Sequence, residues 1–478
     1  MNAPAPSAPE PVSRYWLKWL ITIAPGLIIW LIPTPEGLQD DAWHLAAIFI
    51  STIVGIIIQP LPMGAVALLA IVATVTTRTL SIQEALSGFG NKVVWLVLAA
   101  FLISRGFIKT GLGARIAYFF MALLGKRSLG LAYGFLATDL LLATAIPSSA
   151  ARCGGILFPI VRSTARSYGS APETDSSRKI GAFLMYSSFQ GINITSAMFV
   201  TAMAANPLVV ELAFGQGVEL SWGIWAAAAS VPGALSLLVI PYLIYKLYPP
   251  EIKETPDAPR LAKAKLAEMG PMQLSERIML GTFATLLTLW IFGPSIGLGS
   301  TMVALIGLGI LLVTRTLTWD DVLEERGAWN TFIWFAVLVM MASFLNTLGL
   351  IPWFGDAVQG LVEGTGWVWA FVILILVYFY SHYFFASNTA HITSMYAPFL
   401  AVALAVGTPG VLAALALGFF SNLFSSMTHY GTSPAPVYFG AGYVDMNTWW
   451  KLGFLISLVN IVIWVGIGGF WWKLIGLW

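Results

Sequence analysis

The chain is dominated by long apolar runs that are interrupted only by glycine, proline or charged residues. A helix needs ~20 mostly apolar residues to span a bilayer, and several of these runs reach that length. Of the 478 residues, 58% are hydrophobic and only 10% are charged, too few charges to cover the surface of a soluble domain. The sequence therefore predicts an all-α polytopic membrane protein. The formal net charge of +2 gives no indication of a nucleic-acid partner.

Two segments, 128–166 and 367–405, each contain two short apolar runs joined by a polar tip. Each segment predicts a re-entrant helical hairpin, and the remaining runs then give about eleven crossings. Lysines and arginines concentrate in the loops 162–179 and 246–277, which predicts that both loops are cytoplasmic. We therefore expect a multi-pass protein of the bacterial inner membrane with a cytoplasmic N-terminus. Its first apolar run, 16–32, lacks the pattern of a cleaved signal and is expected to be retained.

The two halves of the chain match each other at a nearly constant offset of 239 or 240 residues. Three segments match in order: 91–95 with 330–334, 147–159 with 386–398, and 191–199 with 431–439. Apolar helices can resemble each other by composition alone, but three ordered matches at one offset favour a repeat. Because five crossings, an odd number, separate equivalent points, the copies are predicted to be inverted, as in many secondary transporters. The predicted units are 1–40 (tail and first transmembrane helix), 41–247 (first inverted repeat), 248–275 (cytoplasmic linker) and 276–478 (second inverted repeat).

Polar interruptions fall inside apolar runs at four places: 147–149, 190–193, 386–389 and 431–434. Backbone freed from helical hydrogen bonds is tolerated in a membrane only where protein or water satisfies it. Four broken helices, paired by the repeat, therefore predict one polar cavity. At the hairpin tips, Ser148 and Ser387 can cap the second arms, whose positive N-terminal ends favour an anion. The alternative is that both serines are ordinary helix caps.

The charges near these interruptions are mainly positive. Arg152 and His391 each follow a tip serine by four residues, about one helical turn. We interpret both as counter-charges for a dianion, with His391 able to titrate; the alternative for Arg152 is pairing with a helix end or a nearby loop. Between residues 330 and 442 the only acidic residues are Asp356 and Glu363, predicted to lie in an amphipathic piece outside the core. Two weaker candidates, His382 and His429, are interpreted as packing residues, and Asp139 is interpreted as facing polar groups of a neighbouring helix.

With these motifs the sequence resembles the divalent anion/sodium symporter family. It is most similar to the branch of 2-oxoglutarate/malate translocators and of citrate/succinate or tartrate/succinate antiporters, from about residue 40 to the end. The resemblance rests on four segments: 148–150, 151–159, 387–389 and 431–434. It implies a homodimer in which a transport domain moves like an elevator, with substrate carboxylates bound at both tips. In sodium-coupled members cations lie beside each tip, which corresponds here to positions near Ser148, Asn193, Asn388 and Gly431. The predicted substrate-binding residues are Ser148, Ser149, Arg152, Asn193, Ser387, Asn388, Thr389, His391, Thr432 and Ser433.

The first tip departs from the Ser-Asn-Thr pattern of the family, because Ser149 and Ala150 stand where asparagine and threonine are expected. This tip has lost hydrogen-bonding groups, whereas Arg152 and His391 supply positive charge that bound sodium would otherwise provide. We therefore predict a sodium-independent exchanger of di- or tricarboxylate anions, of the 2-oxoglutarate, malate, succinate, tartrate or citrate type, without a cofactor. The alternative is sodium- or proton-coupled symport of the same anions. An anion channel or a polytopic membrane enzyme is less favoured, since no HExxH motif is present and the lone Cys153 excludes a cysteine cluster.

Overall fold

The computed structural model describes residues 12–354 and 366–478, and its regular structure is helical. The predicted amphipathic piece with Asp356 and Glu363 lies outside the described residues. The helices of the first half are Val12–Leu31, Asp40–Ile58, Met63–Thr76, Ile82–Leu86, Lys92–Thr110, Leu112–Leu124, Ser128–Ala143, Phe158–Ser167, Gly181–Met198, Asn206–Phe214 and Trp222–Leu247. The linker and second half contain Asp257–Glu268, Leu274–Phe292, Ser300–Val313, Trp319–Glu324, Arg326–Thr347, Trp367–Ser381, Asn388–His391, Ala397–Ala405, Gly410–Leu423, Pro434–Phe439, Met446–Ile461 and Gly469–Leu474.

In this part of the chain, seven helices are long and apolar enough to cross a bilayer, and five shorter apolar helices accompany them. Large apolar side chains face outward, for example Val313 at 86% exposure and Trp369 at 75%. Such a surface is stable in hydrocarbon and not in water. The predicted all-helical, multi-pass membrane protein is therefore confirmed in this general form, whereas the number of eleven crossings stays a prediction.

A short turn recurs in the two halves with the same geometry. The sequence Thr-Arg-Thr-Leu occupies 77–80 and 314–317, 237 residues apart. The backbone of its arginine has a left-handed conformation in both copies, with φ of 61° at Arg78 and 56° at Arg315. The two threonine hydroxyls lie 2.9 Å apart in the first copy and 3.1 Å apart in the second. Each turn is followed by a capping box, from Ser81 to Glu84 and from Thr318 to Asp321. This recurrence lies outside the segments on which the predicted repeat was based and supports it.

Equivalent helices of the two halves run in opposite directions. Lys92–Thr110 packs beside Arg326–Thr347, which holds the corresponding place in the second half. From the 3₁₀ turn before the first helix to its last turn, the contacts meet progressively earlier residues of the second half: Gly88 lies against Met340, the Trp95 ring is 5.2 Å from that of Phe332, and Lys109 pairs with Asp321. The pair is therefore antiparallel, the relation that an inverted repeat requires.

The linker 248–275 lies across one face of the helical bundle. Its backbone N–H groups at Ile252 and Thr255 donate to the carbonyls of Lys179 (2.9 Å) and Lys126 (2.8 Å). The linker thus contacts both the base of the first hairpin and the basic loop 162–179. Both loops that are predicted to be cytoplasmic therefore lie on the same side of the molecule.

Gly88 and Gly90 belong to one 3₁₀ segment, Ser87–Gly90, and offer a matched test of this contact between the halves. A Cβ at Gly88 would lie 1.9 Å from the Ala336 carbonyl oxygen, whereas a Cβ at Gly90 meets nothing within 4 Å. We expect Gly88→Ala to destabilise the protein by about 1–3 kcal/mol, because backbone must move to admit the methyl group. Gly90→Ala should change stability little. Thermal unfolding in detergent measures both, and equal unfolding temperatures for the two variants would contradict the close approach.

Candidate functional site

Each hairpin has a serine at its tip that caps the second arm, as predicted. The Ser148 hydroxyl accepts from the Ala151 N–H at 3.1 Å, and the Ser387 hydroxyl accepts from the Ala390 N–H at 3.4 Å. Both second arms then contain a π-helical segment, Ala151–Leu157 and Ile392–Tyr396. Such bulges are frequent at functional sites because they turn side chains out of the regular helical register.

The first broken helix lies elsewhere than predicted. Gly181–Met198 is a continuous buried helix, so the expected break at 190–193 is wrong. The helix ends at Met198, and the backbone is extended at Phe199 and again at Met203 before Asn206–Phe214 begins. Asn193 consequently lies within a helix, where its buried amide nitrogen has no hydrogen-bond partner among the described residues.

The second helix is broken where the sequence predicts a break. Gly410–Leu423 continues as a 3₁₀ turn, and Pro434–Phe439 follows after residues 427–433. Thr432 is buried in this segment, whereas Ser433 is exposed. Both broken helices resume with a proline in the first turn, Pro207 and Pro434, where the missing N–H costs nothing.

Both hairpins reach the first break. The guanidinium of Arg152, from the first hairpin, donates to the Ala202 carbonyl, and the amide of Asn388, from the second, contacts the sulfur of Met203 at 3.5 Å. The Thr201 hydroxyl also donates to the carbonyl of Thr144 at the first tip. Because Ala202 and Met203 are neighbours in the chain, the two tips lie close together within the protein.

Asparagine side chains join the two broken helices to each other and to the second hairpin. The Asn422 amide donates to the Asn206 side-chain oxygen at 2.9 Å, and Asn206 itself donates to the Ser196 and Phe199 carbonyls at 2.8 and 2.9 Å. Asn388 donates to the Ser421 carbonyl at 3.2 Å and accepts from the Ser425 hydroxyl at 3.1 Å. Freed backbone groups in the breaks thus find partners within the protein.

Arg152 is not the free counter-charge that the sequence suggested. Its side chain is fully buried, and its Nε donates to the Asp139 carboxylate at 2.9 Å. Its remaining described bonds go to the carbonyls of Ile146 (2.7 Å) and Ala202 and to the Ser196 hydroxyl (2.9 Å). The positive charge is therefore matched by Asp139, which was expected to face polar groups of a neighbouring helix and also accepts from the Thr195 hydroxyl there. A role for Arg152 in substrate binding stays a prediction.

His391 likewise lies buried behind its tip. Its Nδ1 is 3.0 Å from Nδ1 of His382, and the ring stacks on Phe385 and Phe424 with centroids 4.5 Å away in both cases. His382 then contacts the second break, where its Nε2 donates to the Gly431 carbonyl at 3.0 Å. The two imidazoles link the second hairpin to the second broken helix, and the expected packing role of His382 stays a prediction.

Of the other predicted residues, Ser149 is buried and Thr389 is half-buried beside its tip. The prediction missed Thr201, Asn206, Asn422 and Ser425. The Asn206-Pro207 pair is a readable helix-start signal, like Ser433-Pro434. It does not fall on the offset of the repeat, since Pro207 lies 59 residues after Ser148 but Pro434 only 47 after Ser387.

Two cavities flank the second part of the first broken helix. One, of about 350 Å³, extends from Val200 and Pro207 to Lys92, Glu211 and Glu219. The other, of about 510 Å³, lies beside the second arm of the second hairpin, where Thr393 and Ser394 line it. Within the described residues, no group of three or more histidine, cysteine or carboxylate side chains could hold a metal ion.

Comparison with known proteins shows a consistent set of similarities. The family model "Sodium:sulfate symporter transmembrane region" matches residues 13–478. The "Putative malate transporter YflS" of Bacillus subtilis (strain 168) is 58% identical over 460 residues, which cover 96% of this chain and 96% of that protein. "Dicarboxylate transporter 1, chloroplastic" of Spinacia oleracea is 54% identical over 462 residues, 96% of this chain and 81% of that protein.

A solved structure has a similar fold. It is the YdaH transporter of Alcanivorax borkumensis, described as having an unusual topology, with a TM-score of 0.60 at 12% identity. The similarity covers 98% of this chain and 99% of that one. The helical arrangement described above therefore recurs in a protein with little sequence similarity.

Asn388 provides a test of the site. Replacing it by Ala removes the amide that connects the second tip to both breaks and leaves buried partners unsatisfied, at a cost of about 1–3 kcal/mol. We expect the transport rate of Asn388→Ala to fall by roughly tenfold or more, since the lost hydrogen bonds let the tip leave the geometry that binds substrate. Asn447→Ala, at an exposed position, is the matched control and should transport normally. Wild-type transport by folded Asn388→Ala would mean that the site lies elsewhere.

Proposed function

Because the chain belongs to the family of the sodium:sulfate symporter transmembrane region, we propose that it transports dicarboxylate anions across a membrane by sodium-independent exchange. Relatives that match nearly its whole length are named as malate or dicarboxylate transporters. A di- or tricarboxylate is then the substrate class, and malate is a sensible first probe. We therefore propose a transporter and not an enzyme.

The observation that carries the proposal is the convergence of two capped hairpin tips on one break. The second arms begin at Ser148 and Ser387, and their first N–H groups and positive helix ends favour a carboxylate. The carboxylate found beside the first tip, Asp139, is matched by Arg152. The meeting point therefore offers hydroxyl, amide and backbone donors without excess negative charge, which suits an anion with two carboxylates.

The substrate contacts that we propose are the side chains at the tips and in the second break: Ser148, Ser149, Ser387, Asn388, Thr389, Thr432 and Ser433. Arg152 and His391 are buried behind the tips and act on the site through its geometry and charge. Asn193 lies within a continuous helix and contributes to this set less directly.

Exchange without sodium is supported by the partners of the carbonyl oxygens near the tips. Sodium is held in proteins by oxygen ligands such as backbone carbonyls. Near Ser148, the carbonyls of Ile146 and Ala202 accept from Arg152, and in the second break the Gly431 carbonyl accepts from His382. Each of these carbonyls therefore already accepts an N–H group, which leaves it less available to a cation and favours a site that needs no sodium. Because these donors cannot leave with the substrate, the empty site returns less easily than one loaded with another anion.

The wider architecture is part of the proposal. Two inverted repeats, 41–247 and 276–478, with about eleven crossings would form a scaffold and an elevator-type transport domain in each protomer of a homodimer. The antiparallel course of Lys92–Thr110 and Arg326–Thr347 supports the inversion. We further propose that the N-terminus and the linker 248–275 face the cytoplasm at a bacterial inner membrane.

Purified protein in liposomes tests the coupling. We expect radiolabelled malate to enter vesicles preloaded with malate or succinate and to enter empty vesicles at least tenfold more slowly, a difference of about 1.4 kcal/mol in the return step. Replacing external sodium by choline should leave the exchange rate unchanged, because no cation completes the site. Protein-free liposomes are the control. Fast uptake into empty vesicles that depends on sodium or on a proton gradient would indicate a symporter, and single-channel currents in a planar bilayer would indicate a channel.

A further inference from the structure

The ion pair between Asp139 and Arg152 is the most deeply buried charged contact among the described ion pairs. The side chains are 2% and 0% exposed, and Nε lies 2.9 Å from the carboxylate oxygen Oδ1. The second carboxylate oxygen, Oδ2, accepts from the Thr195 hydroxyl. Other described ion pairs have at least one partner that is 13% or more exposed, including Lys109 with Asp321 and Arg115 with Glu276. The Asp139–Arg152 pair is thus the one whose field is least screened by water.

The position of the pair places Arg152, and not Asp139, toward the first tip. Arg152 lies one turn behind Ser148 and donates to Ile146, before the tip, and to Ala202, in the first break. Asp139 and Thr195 lie behind it, on the first arm and on the helix Gly181–Met198. Any net charge on the pair would therefore act on an anion bound at the first tip through the protein that separates them.

We propose that Asp139 is a specificity-determining residue that selects substrates by their charge. Its carboxylate cancels the guanidinium, so that the first half of the site carries no net charge and favours a dianion over a trianion. The inference rests on the proposed function, because it needs a carboxylate at the first tip. Asp139 acts through the electric field of the pair and does not contact the substrate.

A purely structural role for the pair makes a different prediction. An ion pair that only holds the tip would weaken binding of every substrate by the same factor when either partner is lost. A charge-selecting pair acts in proportion to the substrate's charge, so a trianion and a dianion respond differently. At roughly 10 Å and an effective dielectric constant of about 20, one added substrate charge changes the affinity on the order of tenfold.

Three variants of the full-length protein in liposomes form a charge series that tests this inference. Asp139→Asn leaves the pair with a charge of +1, Arg152→Gln leaves it with −1, and the double variant restores neutrality with side chains of similar shape. The measured quantity is the ratio of the concentrations of citrate and succinate that halve malate exchange, at about pH 8, where citrate carries three charges and succinate two. We expect the preference for citrate relative to succinate to rise about tenfold in Asp139→Asn and to fall about tenfold in Arg152→Gln. The double variant should keep the wild-type ratio, whatever its rate.

Loss of one partner also leaves a buried charge unpaired, which can prevent folding. Thermal unfolding in detergent shows which variants fold. If one single variant does not fold, the double variant and the other single variant still give two points of the series. A ratio that stays the same in every folded variant overturns the inference, even where rates fall. If the wild type exchanges no carboxylate at all, the proposed function fails and the two failures are distinguished.

Discussion

A carrier that breaks its own helices inside a membrane must satisfy every backbone group that the breaks release. In hydrocarbon an unsatisfied N–H or C=O costs several kcal/mol, and water cannot replace the lost partner without entering the protein. Here the partners are side chains. At the first break, the Asn206 amide donates to the carbonyls of Ser196 and Phe199, and the Arg152 guanidinium donates to that of Ala202. At the second break, the His382 imidazole donates to the Gly431 carbonyl. These contacts hold the first hairpin at the first break and the second hairpin at the second.

The same requirement gives the two halves different chemistry within one architecture. The second tip keeps Ser387, Asn388 and Thr389, and its asparagine contacts both breaks. The first tip has Ser149 and Ala150 instead, and the connection to the break is made by a guanidinium whose charge is balanced locally. A carboxylate at the second tip would meet neutral amide and hydroxyl groups, whereas one at the first tip would lie within the field of an ion pair. The two predicted repeats therefore differ in the chemistry of their tips, and the substrate recognition proposed above would be asymmetric.

The sequence predicted those features whose cause is local. Both hairpins and the second break were predictable because small polar residues and proline interrupt long apolar runs there. The first break was misplaced because the segment from Phe199 to Ala205 contains a single polar residue, Thr201, whereas Gln190 and Asn193 are polar but lie on a helix buried by its neighbours. The pairing of Arg152 with Asp139 depends on the angle at which the hairpin folds back, and a separation of 13 residues does not reveal that angle. The sequence shows the same tetrapeptide around Arg78 and Arg315, but it does not show that both turns have a left-handed backbone there.

The bond between Asn206 and Asn422 has a consequence for pharmacology. Together with the Gln190 amide, which donates to the Ser426 carbonyl at 2.9 Å, this 2.9 Å amide-to-amide contact joins the two broken helices deep in the protein. In the transport domain proposed above, half-sites joined in this way would move together, so a compact inhibitor held between the tips would meet the same set of atoms from either side of the membrane. Sidedness of inhibition would then arise only in larger compounds, through the part of the molecule that projects beyond the tips.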